Sequence, residues 1–328
     1  MTAVSASAPG KVVLCGEYAV LDGAPAVCMA IDRRATVKVT DFDGDWHSVA
    51  APGYSSLEGR FVTDGAQLDW LQGGDEFVIV DAVWHVVANR LAQREGNDCL
   101  RIELDTRAFI DRESGEKIGV GSSAALTVAL SAALTQSTDV LAEAMQAHHR
   151  FQKEAGSGVD IMTSVRGGLI EYRMNARSSS PLRWPAGLAY RVIWTGVAAS
   201  TRMKLQKLAD TRHRASRTEL LKAAEIMAPA WRSASGVLRE LPRYIEALRQ
   251  FSIDHDLGIF DAGHDQLVNE AVDAGLVYKP CGAGGGDVGI LLGTSDEHLD
   301  EFMSSRRASG GRVLNCMLET DGVELERR

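Results

Sequence analysis

No run of apolar residues in this chain approaches the ~20 that a membrane-spanning helix requires. No basic run is present either. The 35 Lys and Arg are outnumbered by 44 Asp and Glu, for a net charge of −9. That balance argues against nucleic acid or an anionic membrane as the main partner. It leaves room for an anionic small substrate, because a few local cations can reverse the field inside one cleft. The five cysteines are odd in number, widely spaced and free of any C-x-x-C pair. This favours free thiols in a reducing cytoplasm over a disulfide framework or a zinc site. The opening residues, "MTAVSASAPGKVVLCGEYAVL", lack a basic stretch followed by a long apolar one, so they do not read as a secretory signal. Internal repeats and low-complexity blocks are absent.

What remains is 328 residues, 45% hydrophobic and 24% charged. That is an ordinary globular composition, long enough for two packed domains or one large one. Residues 11–15, 25–31 and 35–40 are apolar and β-branched, and read as strands of an antiparallel start. Residues 75–94 space Phe77, Val80, Val83, Trp84, Val87, Ala88 and Leu91 as on a helix. "LRIEL" (100–104) alternates as a strand, and 122–134 and 138–152 read as helices. "GLIEYR" (168–173) and "AYRVIWTG" (189–196) read as strands. Between them "NARSSSPLRWPAG" reads as a linker, with a domain boundary near residue 180. The chain then runs helical to about residue 275. It ends in a strand, a Gly-rich loop, the strand "VGILLG", a helix over 296–308 and the strand "RVLNCML", a split βαβ or ferredoxin-like half.

Four stretches carry chemistry. In "KIGVGSSAALTVAL" (117–130) a Gly/Ser loop enters an Ala- and Leu-rich helix. Its backbone N–H groups and the helix N-terminus together suit a phosphate. Glycine there permits close backbone approach and positive φ. No Lys follows in the G-K-[ST] manner, so this is not a Walker A loop. The alternative is a core helix N-capped by Ser122. In "SAPGKVVLCGEYAVLDGAPAV" (7–27), Lys11 begins an apolar strand and either snorkels or faces a cleft. The plain alternative is an edge hairpin with solvated charges at Glu17. In "KPCGAGGGDVGILLG" (279–293), five glycines fall within residues 282–289. The loop is either a surface turn or a place where backbone must come close to something. In "FQKEAGSGVDIMTSVRGGLIEY" (151–172), Asp160 stands at a helix start. It is either an N-cap or a carboxylate placed to take a proton or orient an attacking group.

In this order the four stretches resemble the GHMP kinase family, over residues 7 to 293. The resemblance implies an α+β, two-domain fold: a ribosomal-protein-S5-like N-terminal domain (1–180) and a ferredoxin-like C-terminal domain (181–328). It implies ATP as phosphoryl donor, with Mg²⁺. By the same resemblance, Lys117, Gly119, Gly121, Ser122, Ser123 and Ala124 would hold the ATP, and Ser123 the metal. Lys11 and Asp160 would be catalytic, the first neutralising charge on the transferred phosphoryl, the second accepting or orienting a proton. Tyr18, Lys153, Ser157, Arg166, Ser200, Thr201, Arg202, Gly282, Ala283, Gly284 and Gly285 would bind the acceptor.

"GEYAVL", "FQKEAGSGVDI", "WTGVAASTRMKL" (194–205) and "KPCGAGGGD" look most like the members whose acceptor is already phosphorylated. The implied reaction is ATP-dependent phosphorylation of 5-phosphomevalonate to mevalonate 5-diphosphate, in isoprenoid precursor synthesis. Members acting on mevalonate carry H-G-x-P-S-G-x-D-N, with a metal-binding Glu about three helical turns earlier. Here no Asn follows Asp160, and His148 and His149 stand where that Glu would be. The metal would then rest on Ser123 and the nucleotide phosphates. Cys281 replaces an expected hydroxyl residue. A doubly anionic acceptor meeting ATP needs cations, and Lys11, Arg150, Lys153, Arg166, Arg202 and Lys204 are the candidates. The other readings are a kinase for mevalonate or another hydroxyl acceptor, a related ATP-dependent decarboxylase, and a non-catalytic regulator of the same fold. The expected partner is a phosphorylated small molecule, with no nucleic acid or membrane, for a cytoplasmic monomer or homodimer.

Overall fold

The computed structural model describes residues 3–92, 99–152, 156–199, 204, 207–208, 215–305 and 311–327. Two sheets organise them. Strand β1 (Ala3–Cys15) and the long β2 (Ala26–Phe42) pair antiparallel. Around them gather β3 (His47–Ala50), β4 (Gly59–Asp64), β5 (Gln67–Gln72), β6 (Cys99–Asp105), β7 (Leu169–Arg173) and β8 (Ser178–Leu182). The last strand of the chain, β13 (Glu324–Arg327), completes a nine-stranded sheet by pairing with β1. Among the described residues, only β3 and β6 pair in parallel. Residues 3–8 of β1 alternate between half-exposed and buried, the period of a strand with one face on a core.

Four helices lie with this sheet: α1 (Val78–Leu91), α2 (Ser122–Thr135), α3 (Leu141–Phe151) and α4 (Val159–Arg166). Helix α2 is buried nearly all round and packs against β1, β2 and the other three helices. Its small residues Ala124, Ala125, Ala129, Ala132 and Ala133 have no exposed surface. Helices can approach closely only where side chains are that short, and a helix apolar on every side belongs in a core.

The second sheet has the order β10-β11-β9-β12: Val277–Pro280, Val288–Gly293, Ala189–Trp194 and Arg312–Leu314. Helices α5 (Ala215–Ala230), α6 (Ala234–Asp254), α7 (His264–Asp273) and α8 (Asp296–Ser304) accompany it. Ser233 and Ser295 cap α6 and α8, accepting from the amides of Gly236 and His298. Helix α5 packs against β1, β2, the single turn at Ala19–Asp22 and helix α6, and α6 in turn packs against β10 of the second sheet. Its Arg217 forks onto the carboxylate of Asp22 at 2.6 and 2.7 Å.

Several expectations change. Residues 25–31 and 35–40 are one strand, and β3, β4 and β5 were not foreseen. The linker-like stretch holds β8, whose serines pair with β7. Strand β1 is no edge, since β13 covers its other side. The 181–328 segment therefore returns one strand to the first sheet. The final helix ends at Ser304.

Candidate active site

A cleft of about 940 Å³ opens between the sheets. One wall is the turn after β1, another the loop into α2, a third the glycine-rich loop between β10 and β11. Lys11, Tyr18, Lys117, Gly119, Gly121, Ser122, Ser123, Ser157, Asp160, Gly282 and Ala283 all line it. These come from four stretches spread over the chain, and folding brings them to one place.

The loop into α2 shows why it needs glycine. Gly121 is the helix N-cap, with φ of 85°, and Ser122 is the first helical residue with no side-chain capping bond. The alternative reading of Ser122 as N-cap does not hold: Gly121 takes that place, and the Ser122 hydroxyl is left for the cleft. A side chain on Gly121 would meet the Lys11 stem, its Cβ 2.9 Å from Cγ. Gly119 also has φ of 85°, and a Cβ there would overlap the carboxylate of Asp287. The first intrahelical bond runs from Ala125 N to Gly121 O at 3.1 Å. The amides of Ser122, Ser123 and Ala124 precede it, so by helix geometry they have no acceptor one turn back. Ala124 has no exposed side-chain surface, so only its amide bears on this site.

Lys11 is placed by its own backbone, which donates to Val120 O at 2.9 Å. Its Nζ lies 4.0 Å from where a Cβ on Gly282 would be. The ammonium thus stands between the α2 loop and the glycine-rich loop. Asp160 is the second residue of α4, which is capped by Gly158, so it is not an N-cap. Burial pushes its carboxyl up, but His148, Lys11 and hydrogen bonds from the backbone pull it down, and the net shift is below the ordinary carboxylate value. It is a carboxylate at neutral pH. His148 is itself buried, which holds its imidazole below its ordinary value. It touches Gln152 at 3.3 Å across the α3 turn.

The glycine-rich loop is pinned from three sides. Tyr18, held at φ of 60°, donates its hydroxyl to Ala283 O at 2.7 Å. Lys204 Nζ donates to Gly258 O, Ala283 O and Gly284 O at 3.2, 3.3 and 2.7 Å. An ammonium has three donors, so Lys204 is committed to the loop rather than free to grip an acceptor. His264, fully buried, bonds Tyr278 OH at 2.8 Å and Gly286 O at 2.9 Å. Gly282 and Ala283 face the cleft, whereas Gly284 and Gly285 turn away and pack on Ile259 and Lys204.

Glu17 is 5% exposed, not solvated. Its carboxylate accepts from Tyr244 OH at 2.8 Å and from the ammonium of Lys279, which has no exposed surface. Arg166 is exposed at the far end of α4, away from the cleft lining. Arg150 lines the cleft. Lys153, Ser200, Thr201 and Arg202 lie outside the described residues. Sequence reasoning missed Asp81 and Asp287, both at the cleft. The signal for Asp287 was present, a charged residue closing a run of glycines.

No group of three or more His, Cys, Asp or Glu side chains able to hold a metal occurs among the described residues. The hard oxygen of Ser123, at the start of α2 on the cleft, is of a kind that suits a divalent cation whose remaining ligands would come from phosphate oxygens. No described helix is long and apolar enough to cross a membrane.

A Gly/Ser loop at a helix start, a lysine and a carboxylate converge in this one cleft, and the chain belongs to the GHMP kinase family of small-molecule kinases. The model of the GHMP kinases N-terminal domain matches residues 80–168. The chain is 30% identical to a phosphomevalonate kinase of Streptomyces sp. (strain CL190), over 87% of this chain and 88% of that one. It is 26% identical to a mevalonate kinase of Bos taurus, over 94% and 91%. Among solved structures, phosphomevalonate kinase of Streptococcus pneumoniae in complex with phosphomevalonate and AMPPNP superposes with a TM-score of 0.77. That match is at 18% identity, over 99% of both chains. The α+β fold is that of the GHMP kinases.

Proposed function

We propose that this kinase transfers the γ-phosphoryl group of ATP to 5-phosphomevalonate, giving mevalonate 5-diphosphate and ADP. The observation that carries the reading is the position of Lys11, its stem against Gly121 and its ammonium beside Gly282. That is one cation between a loop suited to the donor and a loop suited to the acceptor. The relative named phosphomevalonate kinase supports the choice of acceptor.

The amides of Ser122, Ser123 and Ala124 and the α2 dipole receive the nucleotide phosphates. Lys117 adds charge at the rim. Ser123 would hold the Mg²⁺ that accompanies ATP, which would supply positive charge against the phosphates. An oxygen of the acceptor phosphate attacks the γ-phosphorus, and the bond to the ADP oxygen breaks. Phosphoryl transfer asks mainly for alignment and charge balance, which Lys11 supplies at the point of transfer. A phosphate monoester loses its second proton near pH 6. Above that pH, Asp160 orients the attacking group; below it, Asp160 is the carboxylate placed to take the remaining proton. Tyr18, Ser157, Gly282 and Ala283 face the acceptor.

Mevalonate as acceptor is the second reading, since a relative named mevalonate kinase also matches along most of the chain. ADP release measured with 5-phosphomevalonate, mevalonate and mevalonate 5-diphosphate, with CO₂ followed in parallel, decides between them. We expect kcat/KM to be highest for 5-phosphomevalonate. A higher value for mevalonate, or CO₂ release from the diphosphate, overturns the assignment.

A further inference from the structure

Asp287 does more than close the glycine-rich loop. It is a non-glycine residue held at φ of 54°, a left-handed conformation that its surroundings must hold in place. Its surroundings are unusually specific. The backbone amide donates to Val197 O at 2.6 Å, and the carbonyl accepts from Thr195 N at 2.9 Å and Thr195 Oγ1 at 3.1 Å. The side-chain Oδ1 accepts from Ala199 N at 3.1 Å. The carboxylate rests directly on Gly119 of the phosphate loop, in space that any side chain there would fill. Burial pushes its carboxyl up, while the Ala199 amide and the charges of Lys11, Lys117 and Lys204 pull the other way. Ala198 and Ala199 line the cleft beside it.

One residue therefore touches the loop that receives the nucleotide and hydrogen-bonds both ends of residues 195–199, on the opposite wall. We propose that Asp287 is a positioning residue, clamping the 195–199 segment against Gly119 so that the two walls of the cleft stay in register for transfer. The clamp rests on the reading of the α2 loop as the nucleotide site. Its working part is the Oδ1 bond to Ala199 N together with the carboxylate's packing on Gly119. The backbone bonds to Val197 and Thr195 do not depend on the side chain.

Asp287→Gly removes both side-chain contacts and also relieves the left-handed strain, so loss of fold is not its expected consequence. Asp287→Asn keeps an oxygen for the Ala199 amide and nearly the same shape, and loses the charge. Hydrogen exchange of the 195–199 segment is measured in wild type and both variants, with and without Mg·ATP, alongside kcat and Mg·ATP affinity. We expect Asp287→Gly to speed exchange of that segment by about tenfold. We expect it to lower kcat by about tenfold or more through lost alignment, with Mg·ATP affinity within about twofold. Asp287→Asn should restore most of the protection and most of kcat. Unchanged exchange and kcat in Asp287→Gly overturn the proposal. So does Asp287→Asn exchanging as fast as Asp287→Gly, which makes charge rather than the hydrogen bond the working part. If wild type transfers phosphoryl to none of the acceptors, the assigned function fails, while the exchange data still decide the clamp.

Discussion

Lys279 and Glu17 form an ion pair shut off from water, 262 residues apart in sequence, where β10 of one sheet meets the turn after β1 of the other. Burial pulls the Lys279 ammonium down, but Cys281 and Glu17 outweigh it, and the net shift is upward. The lysine is charged at any physiological pH. Tyr244 joins the pair, donating to Glu17 and accepting from the amide of Gly16 at 2.8 Å. Glu17 lines the cleft, so this pair sets the cleft floor and ties the two sheets together there.

Breaking such a pair from one side leaves an unmatched buried charge, which costs about 3–5 kcal/mol. We expect Lys279→Met and Glu17→Gln each to lower stability by that order in urea unfolding. The double variant should lose markedly less than the two losses added together. Strict additivity would show that the two residues are not coupled.

Asp160→Asn removes the carboxylate beside Lys11 without changing its size. We expect kcat to fall by ~10²-fold or more, with Mg·ATP affinity little changed by calorimetry. For a phosphorylated acceptor the deficit should be larger at pH 5.5 than at pH 8, because the acceptor's second proton is lost near pH 6. A folded Asp160→Asn protein with near-normal kcat at both pH values excludes a part for this residue in transfer.

His264 gives the fold a specific acid sensitivity. Its burial, among the other groups around it, holds its pKa at about 4, against 6.5 for the free side chain. A folded-state pKa below the unfolded one means the unfolded chain takes up the proton first. The stability involved is complete above pH 6.5 and is lost as pH falls towards 4. At one proton per pH unit this reaches ~3 kcal/mol. We expect His264→Asn to be less stable than wild type at pH 7 and to lose less stability between pH 7 and pH 5. Urea midpoints at the two pH values measure it, and parallel losses in the two proteins would contradict it.

Arg150 and Arg166 separate a cleft cation from a surface one. Arg150 lines the cleft, and Arg166 is exposed outside it. Arg150→Ala should raise KM for the phosphorylated acceptor several-fold more than KM for ATP, most clearly at low ionic strength, where screening is weak. Arg166→Ala should change neither. The reverse pattern would move the acceptor phosphate to the far end of α4.

The parts of the site legible in sequence are those whose chemistry is local. A Gly/Ser loop entering a helix announces itself within ten residues; Lys11 reads as the start of a strand, but that strand begins at Ala3 and carries Lys11 in its interior. The hidden parts depend on long-range partners. Glu17 reads as a solvated turn residue until Lys279 is brought to it, and Lys204 reads as a free cation until three carbonyls converge on it. Ser122 looked like the N-cap because serine commonly is one, yet Gly121 takes that place by adopting positive φ. The serine-rich stretch before β9 reads as a linker because its side chains are polar. It becomes β8 because β7 offers it an edge.

The pairing of β1 with β13 gives the sheet that carries Lys11 an order of assembly. Val4 pairs with Arg327 and Ser7 with Glu324, so strands at opposite ends of the sequence meet. At 5–20 residues per second, a ribosome needs roughly 15–65 s to travel between them. Throughout that interval β1 lacks its outer neighbour, with the alternating apolar face of Val4, Ala6 and Ala8 behind an open edge. Open edges are templates for pairing with other chains. Until β13 arrives, packing of α2 on β1 can cover the apolar face but not the unpaired edge, which stays open to other chains.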